Sequence, residues 1–499
     1  IQICTWSKVA GRSLLSKRSE FNLPQPIFIL GIPNDTKVDT MSSEVLHDEG
    51  LHLFVDDDEV QDHPGFSRQI QQPARRPEPV LRGDMPWERE AVELWGSVIY
   101  DDEEGLFKAW YHSSNSELYE REGVGYFMCY ATSTDGVEWH KPELGIVSCA
   151  GSAANNIVFP TPDIPHDYGY DPWGIFIDRA EPDPEKRYKM GFYQQRPPAG
   201  VRRGERPDVA DQVSFFRQLA DRHGMYTASS PDGIHWRQGD ELRVPRAGDA
   251  GAVVPDSLSG GYIVTSRRFN TLTDHFVLQW KRYRRVIALA TSRDFKDWTP
   301  LETVLKPDDF DDGQDQMYMM TPFAYGNQYL GFLGFYRTNM EIGQVEIASA
   351  RDLSRWQRVG RREAHLPVGP PGAWDGGWVS CATSPPILKD DELYIFYSGS
   401  AQEHGTGGRF RSAIGLARLR RDGFVALRCG IRGGELMTEP VTVNGPRFSM
   451  NASSLFGDID VQVVDDMQVP AGFGFGDCHG LRHDDLTCFE VTWGDERRD

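Results

Sequence analysis

Five acidic residues stand at comparable places in this chain, each at or just before a short apolar run. They are Glu93, Asp171 ahead of Pro172-Trp173, Asp249, Asp315 within Gly313-Gln314-Asp315-Gln316-Met317, and Asp375 within Trp374-Asp375-Gly376-Gly377-Trp378. Carboxyl groups facing one another across a small pocket can divide acid–base work: one stays protonated and assists a leaving group, the other stays ionised as base or nucleophile. That division suits cleavage of a glycosidic bond. The leading candidates for it are Asp171, Asp249 and Asp315, followed by Glu93 and Asp375. Arg267, Tyr318, Trp378, His404 and Trp95, with Arg268 beside them, would offer donors to hydroxyls and flat apolar faces to a sugar ring.

Such residues are far apart in sequence and need a repeated scaffold to bring them together. One is visible. The phrase Ala131-Thr132-Ser133-Thr134-Asp135-Gly136-Val137-Glu138-Trp139 returns at 228–236, 290–298 and 348–356, always with an Ala four residues before an Asp and a Trp four residues after it. It reads as a strand end, a tight turn and the start of the next strand. Gly136 and Gly233 supply a positive φ, and Asp135, Asp232, Asp294 and Asp352 can bond the backbone two residues on. Hairpin corners recurring at unequal intervals predict blades of a propeller with insertions of different length.

The expected strands are 92–100, 106–111 and 126–132 in blade one; 173–178, 187–193 and 224–229 in blade two; 252–254, 261–266 and 285–291 in blade three. Blade four takes 317–324, 328–336 and 343–349, and blade five 379–383, 392–398 and 412–419, with the alternating apolar positions of half-buried strands. The first strand of each blade lines the axis, so polar residues at the starts of those strands converge at one end. After Asp422-Gly423 the pattern changes to short strands separated by Gly and Asp turns. The predicted architecture is therefore all-β: a five-bladed β-propeller over 41–423 and a β-sandwich over 424–499. Residues 1–40, basic and proline-broken, are expected to be an irregular extension or tag, and 51–90 a lead-in wrapping blade one.

At 499 residues the chain can bury a large core. Its 53 basic against 74 acidic side chains leave a formal charge of −21, which disfavours nucleic acid and anionic membranes and is compatible with neutral, polyhydroxylated ligands. Seven cysteines without C-x-x-C spacing signal neither zinc nor a disulfide framework, and no glycine-rich phosphate loop is present, so no metal or cofactor is expected. No apolar run reaches the roughly 20 residues of a membrane helix. Together with the lack of a signal-peptide layout, this predicts a cytoplasmic protein.

The five-blade layout, the Ala-x-Ser-x-Asp-Gly-x-x-Trp corners, the Arg187-Tyr188-Lys189 stretch and the appended sandwich resemble furanosidase-type five-bladed β-propeller glycoside hydrolases of the family 32/43-like superfamily. These include invertase, arabinanase and xylosidase relatives and the mannoside phosphorylases. The likeness spans roughly 50–495. It implies a base or nucleophile on blade one, an orienting Asp on blade two and a general acid on blade three or beyond. Asp171-Pro172 resembles the blade-two Asp-Pro element, with Tyr170 where invertases carry Arg. The Asn-Asp-Pro-Asn-Gly motif of invertases is absent, and Glu93 stands near the place of its Asp. Blade three has no Glu-Cys motif; Asp249 is its nearest acid, with Asp315 on blade four the alternative general acid.

The function expected is hydrolysis of a furanoside or related neutral oligosaccharide. A glycoside phosphorylase of the same fold would need a phosphate clamp, for which Arg267, Arg268 and Arg337 are candidates. A propeller that only binds carbohydrate or protein is the third reading.

Overall fold

The computed structural model describes residues 2–4, 27–29, 50–89, 91–122, 125–161, 169–196, 222–269, 284–313, 315–404, 411–441, 447–465 and 468–494. Among them the only α-helix is Ser116–Glu122; nearly everything else ordered is strand. Most of the polar insert after the second strand of blade two, 197–221, lies outside the described residues.

Five antiparallel meanders follow one another. The first is built from Ala91–Glu93, Val98–Asp101, Leu106–Ser114, Tyr126–Ser133 and Ile157–Phe159, and the second from Gly169–Ile177, Tyr188–Gln195, His223–Ser230 and Arg237–Gln238. The third comprises Gly251–Asp256, Gly261–Phe269, Arg285–Ser292 and Glu302–Leu305. The fourth holds Gln316–Tyr325, Gln328–Arg337, Ile342–Ala350 and Gln357–Arg358; the fifth holds Trp378–Cys381, Glu392–Ser400 and Ser412–Arg420. The strand expected over 92–100 is split, because Gly96-Ser97 leaves the ladder and the Ser97 carbonyl accepts from the Trp110 N–H.

The strands are more deeply buried than alternation suggests. Gln328–Arg337 is buried at every position but the last. The reason is that each meander packs on a neighbour through both faces. Trp110, Met128 and Val158 of the first share a core with Ile175, Met190 and Phe192 of the second. Trp173 and Met225 of the second pack on Val253 and Val264 of the third, and Val254 and Ile287 of the third on Met320 and Leu333 of the fourth. Phe332 and Val345 then meet Val379 and Ile395 of the fifth, whose Phe396 and Leu416 pack on Phe107 and Phe127 of the first.

Polar contacts follow the same order. Ser97 Oγ accepts from Ile175 N at 2.7 Å, and Thr265 Oγ1 donates to the Met320 carbonyl. Thr321 Oγ1 donates to the Ala382 carbonyl at 2.8 Å, and Thr383 Oγ1 to the Gly96 carbonyl at 2.7 Å. At the far ends of the inner strands Asp101, Lys108 and Tyr188 join the first two meanders, and Asp178, Lys189 and Tyr262 repeat the arrangement one step on.

The repeated phrase forms the corners it predicts. Asp135 Oδ1 accepts from the N–H of Val137 and Glu138, and Asp232 Oδ1 from those of Ile234 and His235. In the third copy Phe295 holds the glycine's place at φ 63°. The corner also ties neighbours together, because Trp110 Nε1 donates to the Gly233 carbonyl at 2.6 Å.

Only the later part of the lead-in lies on the first meander, where Trp87 Nε1 donates to Asn156 at 2.9 Å and Tyr111 Oη donates to Glu88 at 2.5 Å; the earlier part pairs elsewhere. Ala74–Arg75 pairs with Ser412–Arg420 at the outer edge of the fifth, and Phe66–Ile70 pairs with Val425–Cys429. Phe54, Val60 and Phe66 share one core with Leu427, Phe448, Val461 and Val491, so the C-terminal sheets are completed by chain from before the first meander. Of the first forty residues, Gln2–Cys4 and Ile27–Ile29 are described, as short strands paired with Phe448–Ser453 and Asp458–Gln462.

Gly233 gives a test of the corner. Its φ is 76°, and an added Cβ would lie 2.5 Å from the Trp110 ring, whereas Gly260 at φ 74° has open space around it. Both Gly→Ala changes incur about 1–2 kcal/mol for the left-handed backbone, and only Gly233→Ala adds about 1–3 kcal/mol of overpacking. Urea denaturation should show Gly233→Ala as clearly the less stable. Equal losses would mean that the Trp110 contact does not hold the corner.

Candidate functional site

Antiparallel register decides which residues meet. Glu93 ends the short inner strand of the first meander and stands opposite His112, Asp171 stands opposite Tyr193, and Gln316 opposite Tyr336. Arg267 lies beside Ala250, just past Asp249, with its N–H on the Ala250 carbonyl. Residues at the starts of inner strands thus face residues at the ends of second strands.

All five predicted ligand-binding residues fall into one cluster. The Tyr318 ring lies 5.0 Å from Trp378, 5.6 Å from His404 and 6.2 Å from Trp95, between centroids. Arg267 lies over the Tyr318 face at 4.8 Å, and Tyr318 Oη stands 3.3 Å from His404 Nε2. Three further members were not foreseen. Tyr336 packs 5.5 Å from Trp378 and 4.9 Å from His404, its hydroxyl donates to Glu341, and Arg285 lies 5.1 Å from the Tyr318 centroid. Reflecting the inner strand about its hairpin turn would have found Tyr336.

Two of the five candidate acids attach to this cluster. Glu93 Oε2 accepts from Trp95 Nε1 at 3.0 Å, and Asp249 Oδ1 accepts from Arg267 Nε at 2.6 Å. Their environments push them in opposite directions. Burial, opposed in part by Ser412 and Trp95, raises the Glu93 carboxyl above the usual range. For Asp249 the surrounding protein also favours the neutral form, but the Arg267 guanidinium outweighs it and holds the carboxyl below the usual range. Half of the Asp249 side-chain surface nevertheless remains open to solvent, as suits a group at the edge of a concave site, while Arg267 is 8% exposed.

The histidines here are neutral near pH 7. Burial and the Arg285 and Arg267 charges hold His404 below the ordinary value against Glu341. Burial alone takes His112 to about 4, and neither of its ring nitrogens has a hydrogen-bond partner.

Asp315 and Asp375 make their contacts elsewhere. Asp315 is 1% exposed and bonds Arg337 at 2.8 Å, next to the buried Arg358, Glu346 and Asp311 charges. Its burial raises the carboxyl, Arg337 notwithstanding. Asp375 accepts from Arg75 Nη1 at 2.8 Å and Tyr397 Oη at 3.0 Å, anchoring the outermost strand of the fifth meander. Asp171 lies half-buried on the inner strand of the second.

The expected phosphate clamp is not assembled. Arg268 donates to the Leu301 carbonyl and Arg337 is engaged with Asp315, so the cation that joins Arg267 over Tyr318 is Arg285. A groove of about 290 Å³, with Arg82, Arg89, Arg411, Glu88, Gln402 and Trp374 in its walls, opens between the lead-in and the fifth meander and includes Ser412. Among the described residues no group of three His, Cys, Asp or Glu is placed to hold a metal ion, and no helix is long and apolar enough to cross a membrane.

No family model and no curated protein matches the chain. Solved structures of similar overall architecture include an N-acetylgalactosamine deacetylase from F. plautii in complex with blood group B trisaccharide, 13% identical over 70% of this chain and 95% of that one, with a TM-score of 0.43. A second comes from work on the GH130 family of mannoside phosphorylases, which contains glycoside hydrolases that target β-1,2 mannosidic linkages in Candida mannan; it is 14% identical over 73% of this chain and 98% of that one, with a TM-score of 0.46. A glycosyl hydrolase from Bacteroides ovatus is 14% identical over 70% of this chain and 94% of that one, with a TM-score of 0.45.

The Glu93 environment has a consequence for stability. A carboxyl whose folded pKa is raised binds protons more tightly in the native state, so its contribution is fully present below the unfolded value and is lost as pH rises through the folded one. Glu93→Gln should therefore gain stability over the parent protein as pH goes from about 4 to about 7. Paired thermal melts check this; a gap that does not change with pH would contradict the raised carboxyl.

Proposed function

We propose that the five meanders are the blades of a five-bladed β-propeller, and that the chain is a glycoside hydrolase acting on a furanoside or related oligosaccharide at the inner-strand ends. The observation that carries this reading is the pair Glu93 and Asp249. They attach to one aromatic and arginine cluster, and their carboxyls are shifted in opposite directions. Environments that separate two carboxyls in this way assign acid and base.

Glu93, kept protonated, donates to the glycosidic oxygen as the bond to the anomeric carbon breaks. Asp249, kept ionised, either takes a proton from the attacking water or attacks the anomeric carbon itself, a choice set by the separation of the carboxyls. Tyr318, Trp378 and Trp95 offer ring faces to a sugar, and His404, neutral, can give or accept a hydrogen bond at a hydroxyl. Asp171, at the start of the second inner strand, is the third acid on this reading and orients the sugar. The C-terminal sheets act as an accessory β-sandwich without chemistry of their own.

The test is a screen of aryl glycosides and oligosaccharides, with and without phosphate, on the full chain. Asp249→Asn and Glu93→Gln should each lower kcat/KM on the responsive substrate by roughly 10²–10⁴-fold. The pH profile should be a bell, falling on the acid side as Asp249 takes a proton and on the alkaline side as Glu93 loses one. Asp375→Asn should lower stability instead. Turnover unaffected by both substitutions would overturn the assignment, and turnover that requires phosphate would replace hydrolysis by phosphorolysis.

A further inference from the structure

We infer that the sugar bound at this site carries a carboxylate, received by Arg267 and Arg285. The inference rests on the reading of the cluster as a carbohydrate site and specifies the class of sugar.

The two guanidinium groups lie against the same ring, Arg267 at 4.8 Å and Arg285 at 5.1 Å from the Tyr318 centroid. Like charges held this close repel. The Arg267 charge, added to burial, lowers the Arg285 pKa, while Tyr318 and Asp249 act against it.

Asp249 hydrogen-bonds Arg267 and reaches Arg285 only through its charge. Arg285 bonds Gln316 Oε1 at 2.9 Å, a neutral acceptor. The other titratable groups around the pair are engaged elsewhere: the Glu341 carboxylate is bound to the Tyr336 hydroxyl, His404 is held neutral, and the Glu93 carboxyl, raised by burial, accepts from Trp95. Among the described residues no carboxylate is therefore bonded to Arg285.

Two donors remain as well. Arg267 Nη1 and Arg285 Nε are buried and make no hydrogen bond among the described residues, although an unbonded buried donor costs about 1–3 kcal/mol and more when charged. Two unused charged donors on neighbouring guanidinium groups beside aromatic walls match a planar anion. A sugar carboxylate meets that description, and arginine pairs with planar carboxylates in short, charge-assisted bonds.

The probes are glucuronate and galacturonate, each against its neutral hexose, and inorganic phosphate, titrated calorimetrically into the full chain. At least one acid should bind roughly tenfold or more tightly than its hexose, as expected for charged hydrogen bonds. Arg285→Gln should remove that preference, and Arg268→Gln, which faces the Leu301 carbonyl, should leave it intact. Should a variant fail to fold by circular dichroism, competition between acid and hexose on the parent protein still reads the preference. Equal affinity for acid and hexose overturns the inference, as does tight phosphate binding without acid binding. Because binding is read without turnover, selective acid binding with no glycoside cleavage would sink the catalytic reading alone. Cleavage of neutral glycosides without acid preference would sink this one alone.

Discussion

Face-to-face burial of one meander on the next is the constraint on which this molecule depends. A strand such as Gln328–Arg337, buried on both sides, can exist only if apolar sheets cover both faces of its own sheet. The five meanders each share one core with their predecessor and another with their successor, and Trp95, Tyr318 and Trp378 meet near the starts of three of them. Charged and aromatic side chains that no sheet face would tolerate collect there. The site is thus a by-product of how the cores are filled.

Within that site Arg267 links the parts. It fixes Asp249 in the ionised form, lies on Tyr318, and through Tyr318 joins the ring set of Trp95, Trp378 and His404. Glu93 joins through the Trp95 indole, and burial raises its carboxyl. Two acids of similar chemistry are thereby shifted in opposite directions by their surroundings.

Much of this was legible in the sequence because it depends on local pattern. The Asp-to-Trp corners are local turns, and the filter on inner-strand starts picked out Glu93 and Asp249 among its five acids, with Trp95, Tyr318 and Trp378 close to such starts in sequence. Arg285 and Tyr336 were missed because they sit on later strands and reach the cluster only through the register. The contacts of Asp315 and Asp375 were hidden for a related reason. Their partners Arg337 and Arg75 come from another strand and from the chain's lead-in, so a filter that sees one acid before one strand cannot tell a pocket acid from a buried ion pair. The contribution of Phe54, Val60 and Phe66 to the C-terminal core was equally invisible, since nothing local marks a pairing with residues beyond 425.

The central claim is that Glu93 and Asp249 hold opposite protonation states on one cluster. Carbon-13 NMR of side-chain carboxyls in the folded full chain, with the two signals assigned by loss in Glu93→Gln and Asp249→Asn, measures it directly. The account predicts that Glu93 titrates above the ordinary glutamate range and Asp249 below the ordinary aspartate range. Two carboxyls titrating together at ordinary values, or in the reverse order, would contradict it.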